Sequence, residues 1–315
     1  MKNIQSGEGG NLLLKPNGSG NYFERALMFL CYVTTLILLC ACSPRNLIVE
    51  QVGNELASQG KQVEDDLVLA REASAFYLKL SESVLRQTPD NLKLAEAVSA
   101  GFTQYAFAFV SFEAEKIEAN DSKAAQKLRE RAARLYLRAH RHAMAALEQH
   151  KPGFFKALSN SEPKNWPLLN DEEIGVAYWA AASWGGYISL SKDNPDTVAD
   201  LPLAVRLADL AWLKMPGYGD GALASLMGSF ESARPGGSSQ QALVYFDQAI
   251  TLSAGKSAGP YVAKAESIAL PAGDRVAFEA LLHQALVASD SQKDLQNEVM
   301  RERAQWLLET AGDLF

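Results

Sequence analysis

Between residues 65 and 312 apolar positions recur every three or four residues, the period of an amphipathic helix, and each periodic stretch is closed by Pro, Gly, Asn or Asp. The first stretch, 65–87, stops before Thr88-Pro89-Asp90-Asn91. The second, 91–120, places Phe102, Tyr105, Phe109 and Phe112 on one helical face. The third, 122–149, is strongly charged at its start and ends before Lys151-Pro152-Gly153. A loop follows, in which Pro152, Pro163 and Pro167 argue against helix. Asn170 is the expected N-cap of the next helix, with Asp171, Glu172 and Glu173 in a first turn whose dipole favours carboxylates. That helix carries Tyr178, Trp179, Trp184 and Tyr187 and ends at Lys192-Asp193-Asn194-Pro195-Asp196. Six shorter helices are expected at 201–214, 221–233, 239–253, 260–269, 274–289 and 292–312. Their connections of two to six residues imply antiparallel neighbours.

A second regularity lies over the first. Ala204/Ala208/Ala211 is followed 38 residues later by Ala242/Phe246/Ala249, and 36 later by the weaker Phe278/Leu282/Ala285. Ala132/Tyr136/Ala139 stands 72 residues before the first set, twice that period. Small residues on one face let a partner helix approach closely, and the aromatic ring between them fills the next groove. The period is close to the roughly 34 residues of a tetratricopeptide repeat (TPR). The expected fold is therefore all-α: stacked antiparallel helix pairs, a degenerate TPR-like α-α superhelix.

Composition narrows the function. Removing residues 1–41 leaves a formal charge of −8, which argues against nucleic acid as a partner. The three cysteines, Cys31, Cys40 and Cys42, all precede residue 43, so the body has neither a disulfide nor a cysteine metal site. Gly255-Lys256-Ser257 lacks the upstream glycine and the strand of a phosphate loop, and 217–221, GYGDG, reads as a turn. His140 and His142 fall on different faces, and no His pair has the i, i+4 spacing that suits a metal. Asp171, Glu172 and Glu173 are accounted for by the helix start, and no Ser/His/Asp set stands out. Catalysis, metals and cofactors therefore drop out of the expectation. The eight aromatics named above are core by default. Their functional reading is that some line a cavity between stacked pairs, with Gly185-Gly186 beside Trp184 marking close packing or a pocket.

The amino terminus sets the compartment. Residues 26–41 form an apolar run preceded by Arg25, too short for the roughly 20 residues of a membrane span but a good length for a secretory signal. Leu39-Cys40-Ala41-Cys42 resembles the bacterial lipobox, which implies cleavage before Cys42 and acylation of that residue. An ordinary signal peptide and a signal anchor are the alternatives. The expected organisation is a leader and signal over 1–41, a lipid-anchored tether over 42–63 and a helical-repeat domain over 64–315.

Residues 64–110 (EDDLVLAREASAFYLKLSESVLRQTPDNLKLAEAVSAGFTQYAFAFV), 178–202 (YWAAASWGGYISLSKDNPDTVADLP) and 249–267 (AITLSAGKSAGPYVAKAES) resemble the TatT component family of TRAP (tripartite ATP-independent periplasmic) transporters. The resemblance spans about residues 64–315 and departs from the family at the long leader and at 233–241. It implies a periplasmic, lipid-anchored helical-repeat protein that forms a homotrimer and partners a TRAP-type periplasmic substrate-binding protein. It also implies a cavity or pore through which ligand passes, and the expected function is a transport accessory that accepts or passes a small apolar or organic-acid ligand. Ser43 after the lipid-bearing Cys42 fits sorting to the outer membrane. The rival expectation is a TPR scaffold lipoprotein that assembles cell-envelope machinery.

Overall fold

Side-chain caps start half of the α-helices. In the computed structural model, which describes residues 25, 27–29, 51–57 and 66–315, Asp66 accepts from the N–H groups of Val68 and Leu69 to open α1 (Leu67–Leu85). Asn91 caps α2 (Leu92–Ala106) and Asp121 caps α4 (Ser122–His150) in the same way. Such a cap is worth about 1 kcal/mol, because it satisfies N–H groups that the first turn leaves without partners. Between α2 and α4 the chain makes a π-helical turn over Phe107–Ser111 and then α3 (Phe112–Ile117).

After α4 come α5 (Phe154–Leu158), α6 (Ile174–Ser189), α7 (Pro195–Ala199) and α8 (Leu201–Lys214). The carboxyl-terminal part contains α9 (Ala222–Ala233), α10 (Ser239–Leu252) and α11 (Gly259–Lys264), the last running into a second π-helical turn, Ala265–Ala269. It ends with α12 (Arg275–Ser291), α13 (Leu295–Glu309) and α14 (Ala311–Leu314). No strand occurs among the described residues, and the fold is all-α.

Side-chain contacts fix the directions of the pairs. Tyr136 meets Gly186 while His140 meets Ala180, so α4 and α6 run antiparallel. Gly228 faces Phe246 and Gly221 faces Ala249, which makes α9 and α10 a second antiparallel pair. Arg301 pairs with Asp290 and Phe278 meets Phe315, giving α12 and α13 the same arrangement. The spaced small-and-aromatic sets of the sequence form the facing surfaces. Ala204, Ala208, Ala211, Ala242, Phe246, Ala249, Phe278, Leu282 and Ala285 have no exposed surface, and Tyr136 between Ala132 and Ala139 is buried with them.

Two units divide the chain, 1–48 and 49–315. In the first, Arg25 and residues 27–29 are helical and exposed. In the second, one apolar core runs from Ala70 to Phe230 and another from Ala258 to Ala311. Residues 51–57 are helical; Gly53 is buried against Asn91 and Leu94, and Asn54 accepts from Asn91. No described helix is long and apolar enough to cross a membrane. Cys42 and the expected cleavage point lie outside the described residues.

Three local expectations need correction. The loop after α4 contains a helix, α5, despite its prolines. Gly153 turns the chain with φ 86°, and the Glu148 carboxylate accepts from the N–H groups of Gly153 and Phe155, doing the work of a cap. The predicted 91–120 and 260–269 helices are each altered by a π turn. The first of these adds a residue to the turn, which rotates α3 by about 100° against α2. The four aromatics of this stretch therefore do not share one face. Phe102 faces α4, Tyr105 and Phe109 pack edge to face, and Phe112 meets Trp306 on α13.

Candidate functional site

The α6 sequence gives that helix little polar surface, and it sits in the middle of the fold against α2, α4 and α8. Its start is held by Asn170, the expected N-cap, and by Glu173, whose side chain reaches back to the Asn170 N–H so that the two cap each other reciprocally. Glu173 is fully buried and accepts from Lys151 at 2.7 Å, so it also anchors the loop leaving α4. Its helix-start role is thus joined by a tie across the loop.

Around α6 the aromatic side chains form a band. Tyr178 and Trp184 are buried, and Trp179 and Tyr187 are half-buried. Tyr178 stands edge-on to Trp179 and tilted against Tyr218, while Trp184 lies 4.3 Å from His140, centroid to centroid. The two glycines admit rings: a Cβ at Gly185 would lie 2.8 Å from the Phe230 ring, and one at Gly186 would lie 2.7 Å from the Tyr136 ring. Their role here is close packing. The Tyr218 hydroxyl donates to Glu96 at 2.6 Å, and that carboxylate occupies the space a side chain at Gly175 would need.

Burial dominates the electrostatics of this band. It raises the pKa of Tyr136 and Tyr178, and burial together with the Glu96 carboxylate raises that of Tyr218. It lowers His140 to about 4, although the hydrogen bond from Nδ1–H to the Ala180 carbonyl, 3.2 Å, acts the other way. His140 is therefore a neutral ring that donates to α6 and packs on Trp184. His142, on the other side of the same helix, stacks with Phe102 and lies 2.8 Å from Glu82.

Two charged clusters went unnoticed in the sequence. Glu82 is buried on α1 and accepts from Arg138 Nε at 2.6 Å and from Lys79 at 2.7 Å. Burial acts to raise its pKa, but Arg138, Lys79 and His142 outweigh it and hold the carboxyl at about 2. The second cluster centres on Arg303, whose side chain is 8% exposed. Its guanidinium donates to Glu266 at 2.6 and 3.0 Å and to Glu115 at 2.9 Å, and lies over the Phe107 and Phe112 rings. Burial opposes the Arg303 charge, yet the two carboxylates prevail and raise its pKa. Burial is the leading influence on Glu115 and pushes it up. Both π turns contribute: Phe107 comes from the first and Glu266 from the second. A signal was present, since Val299, Arg303 and Leu307 form an i, i+4 ladder with a cation at its centre.

Of the eight aromatics, Phe102, Tyr105, Phe109 and Phe112 fill the core along α2 and α3, while the α6 four form the band. Two surface clefts lie elsewhere. One, about 440 Å³, is bounded by Asp247, Tyr261, Lys264, Leu281 and Val287. The other, about 560 Å³, is bounded by Asp66, Val68, Glu298 and Arg301. Among the described residues no group of three His, Cys, Asp or Glu side chains is placed to hold a metal.

These features define an all-helical protein of antiparallel pairs, cross-braced by buried ions and crossed by an aromatic band. The chain belongs to the TRAP transporter T-component family, whose model matches residues 63–315. It is thus an accessory component of TRAP transport, acting outside the cytoplasm in association with other TRAP components. It is also 28% identical over 320 residues to an uncharacterized protein of Treponema pallidum (strain Nichols), an alignment that covers 90% of this chain and 97% of the relative.

Proposed function

We propose that the protein is a periplasmic lipoprotein that docks a TRAP-type substrate-binding protein and accepts or passes a small apolar or organic-acid ligand. Family membership over 63–315 carries this reading. The aromatic band supports the ligand part, because rings packed around α6 can offer a mostly apolar lining with a few polar groups when neighbouring helices part. In this reading residues 1–41 are leader and signal, Cys42 is acylated and tethers the chain through 42–63 to the outer membrane, and 64–315 is a TPR-like body that assembles as a trimer. Neither a cofactor nor a metal takes part, and the protein is not an enzyme. The test is affinity capture from periplasm with the native anchor in place. Recovery of a TRAP-type substrate-binding protein is the expected outcome, and its absence would refute the docking assignment.

A further inference from the structure

Helix α4 departs from the charge of the rest of the chain. Between Ser122 and His150 it has seven Lys and Arg against two Glu, in a protein whose formal charge is −7. Its buried face is Ala125, Ala132, Tyr136, Ala139 and Ala143, which turns Lys123, Lys127, Arg134 and Arg141 to the outside. These four follow one another at helical spacing along about 27 Å of helix. All four are exposed, and none forms an ion pair among the described residues.

The neighbouring helix extends the surface. Glu82 accepts from both Arg138 and Lys79, which ties α1 to α4. On α1 the residues next to Lys79 are apolar and exposed: Phe76 at 67%, Tyr77 at 44% and Leu80 at 39%. A row of unpaired cations beside exposed aromatic and aliphatic side chains has the chemistry of a membrane interface, where cations meet phosphate headgroups and rings enter the boundary layer. A protein partner would more commonly be met by a pocket for its anchoring side chains, and the two clefts described above are lined by other residues.

We infer that the α1–α4 face is a docking surface for anionic phospholipid, through which the folded body lies against a membrane independently of any acyl chain. The occupant follows from charge complementarity: the chain as a whole carries net negative charge, whereas this face presents Lys123, Lys127, Arg134 and Arg141 against Glu130.

The probe is a chain of residues 49–315, which forms a compact unit with its own two cores, mixed with phosphatidylglycerol–phosphatidylethanolamine vesicles and separately with phosphatidylcholine vesicles. Co-sedimentation with the anionic vesicles only, weakened by salt, is the expected result. The triple variant Lys127→Glu, Arg134→Glu, Arg141→Glu changes exposed, unpaired positions and should keep the helical circular dichroism of the parent. It should lower the partition coefficient about 100-fold or more, since each basic residue near an anionic surface contributes about fivefold. A second variant, Phe76→Ser with Leu80→Ser, should weaken binding without changing its salt dependence. Absent binding, equal binding to both vesicle types, or unchanged binding by the triple variant overturns the proposal. If the triple variant instead loses only capture of a substrate-binding protein, the face belongs to that partner and the lipid assignment fails. Since the probe lacks Cys42, failure here leaves the acyl-anchor reading intact.

Discussion

Replacing Arg303 with Met tests the central brace. Methionine keeps a straight apolar stem against Phe107 and Phe112 and removes only the guanidinium. Glu266 and Glu115, 28% and 33% exposed, are then left facing each other without a cation. Removing one partner of a buried pair costs about 3–5 kcal/mol, and partial solvation of the two carboxylates puts this case at the low end, about 3 kcal/mol. Urea unfolding at neutral pH, followed by circular dichroism, should show a lower midpoint with an unchanged slope. Two companion measurements separate charge from packing. Adding Glu266→Gln to Arg303→Met should recover much of the loss, because the uncompensated charge is removed. Lowering the pH should also narrow the deficit: burial already raises the folded pKa of Glu115 and Arg303 is the main charge that opposes it, so without the arginine protonation of Glu115 stabilises the variant fold. A deficit below about 1 kcal/mol, or one indifferent to both pH and Glu266→Gln, would refute the argument.

Further expectations follow from single groups. His140 has a folded pKa of about 4, below its unfolded value, so stability falls as the pH drops from about 6.5 towards 4, by about 2 kcal/mol at about pH 5. His140→Gln should remove that part of the pH profile in thermal unfolding. Glu82 is held at about 2, so its contribution is complete above about pH 4.5 and disappears as the pH falls through 2. Glu82→Gln should flatten the stability curve across that window. Gly186→Val forces a side chain into the Tyr136 ring and should lower stability by about 1–3 kcal/mol, read from urea midpoints. Cys42→Ala should abolish fatty-acid labelling and yield no lipidated mature form; a normally labelled product would end the lipoprotein reading.

The sequence made the paired helices legible because their contact surfaces are written in small residues. Where Ala204, Ala208 and Ala211 fall at steps of four and three, one face has almost no side-chain volume, and only another helix backbone can cover it. The prolines and Asn or Asp caps then divide the chain in the right places, as at Asp121 and Asn170. Helix α5 was hidden because its start depends on Glu148, a carboxylate from the previous helix reaching across Gly153. No local pattern reports such a contact.

The π turns were hidden for a different reason, and they account for what could be read of the site. Periodicity assumes a constant angle per residue, so a single extra residue leaves the pattern intact on each side and turns one half against the other. Phe102 and Phe112 look like one row in sequence, yet they serve different neighbours, α4 and α13. The rotation that separates them also carries Glu115 towards Arg303, while the second π turn supplies Glu266. Each turn is a departure from ideal helix that needs tertiary support, and the buried cation provides the same support to both. The Arg303 cluster is therefore the point at which the amino-terminal and carboxyl-terminal helices are made to agree, and a change there should be felt at Phe112 and Trp306 together. Loss of the Trp306 fluorescence environment in Arg303→Met, ahead of global unfolding, is the expected mark of that coupling. A Trp306 signal that changes only with the global transition would place the two π turns in independent hands.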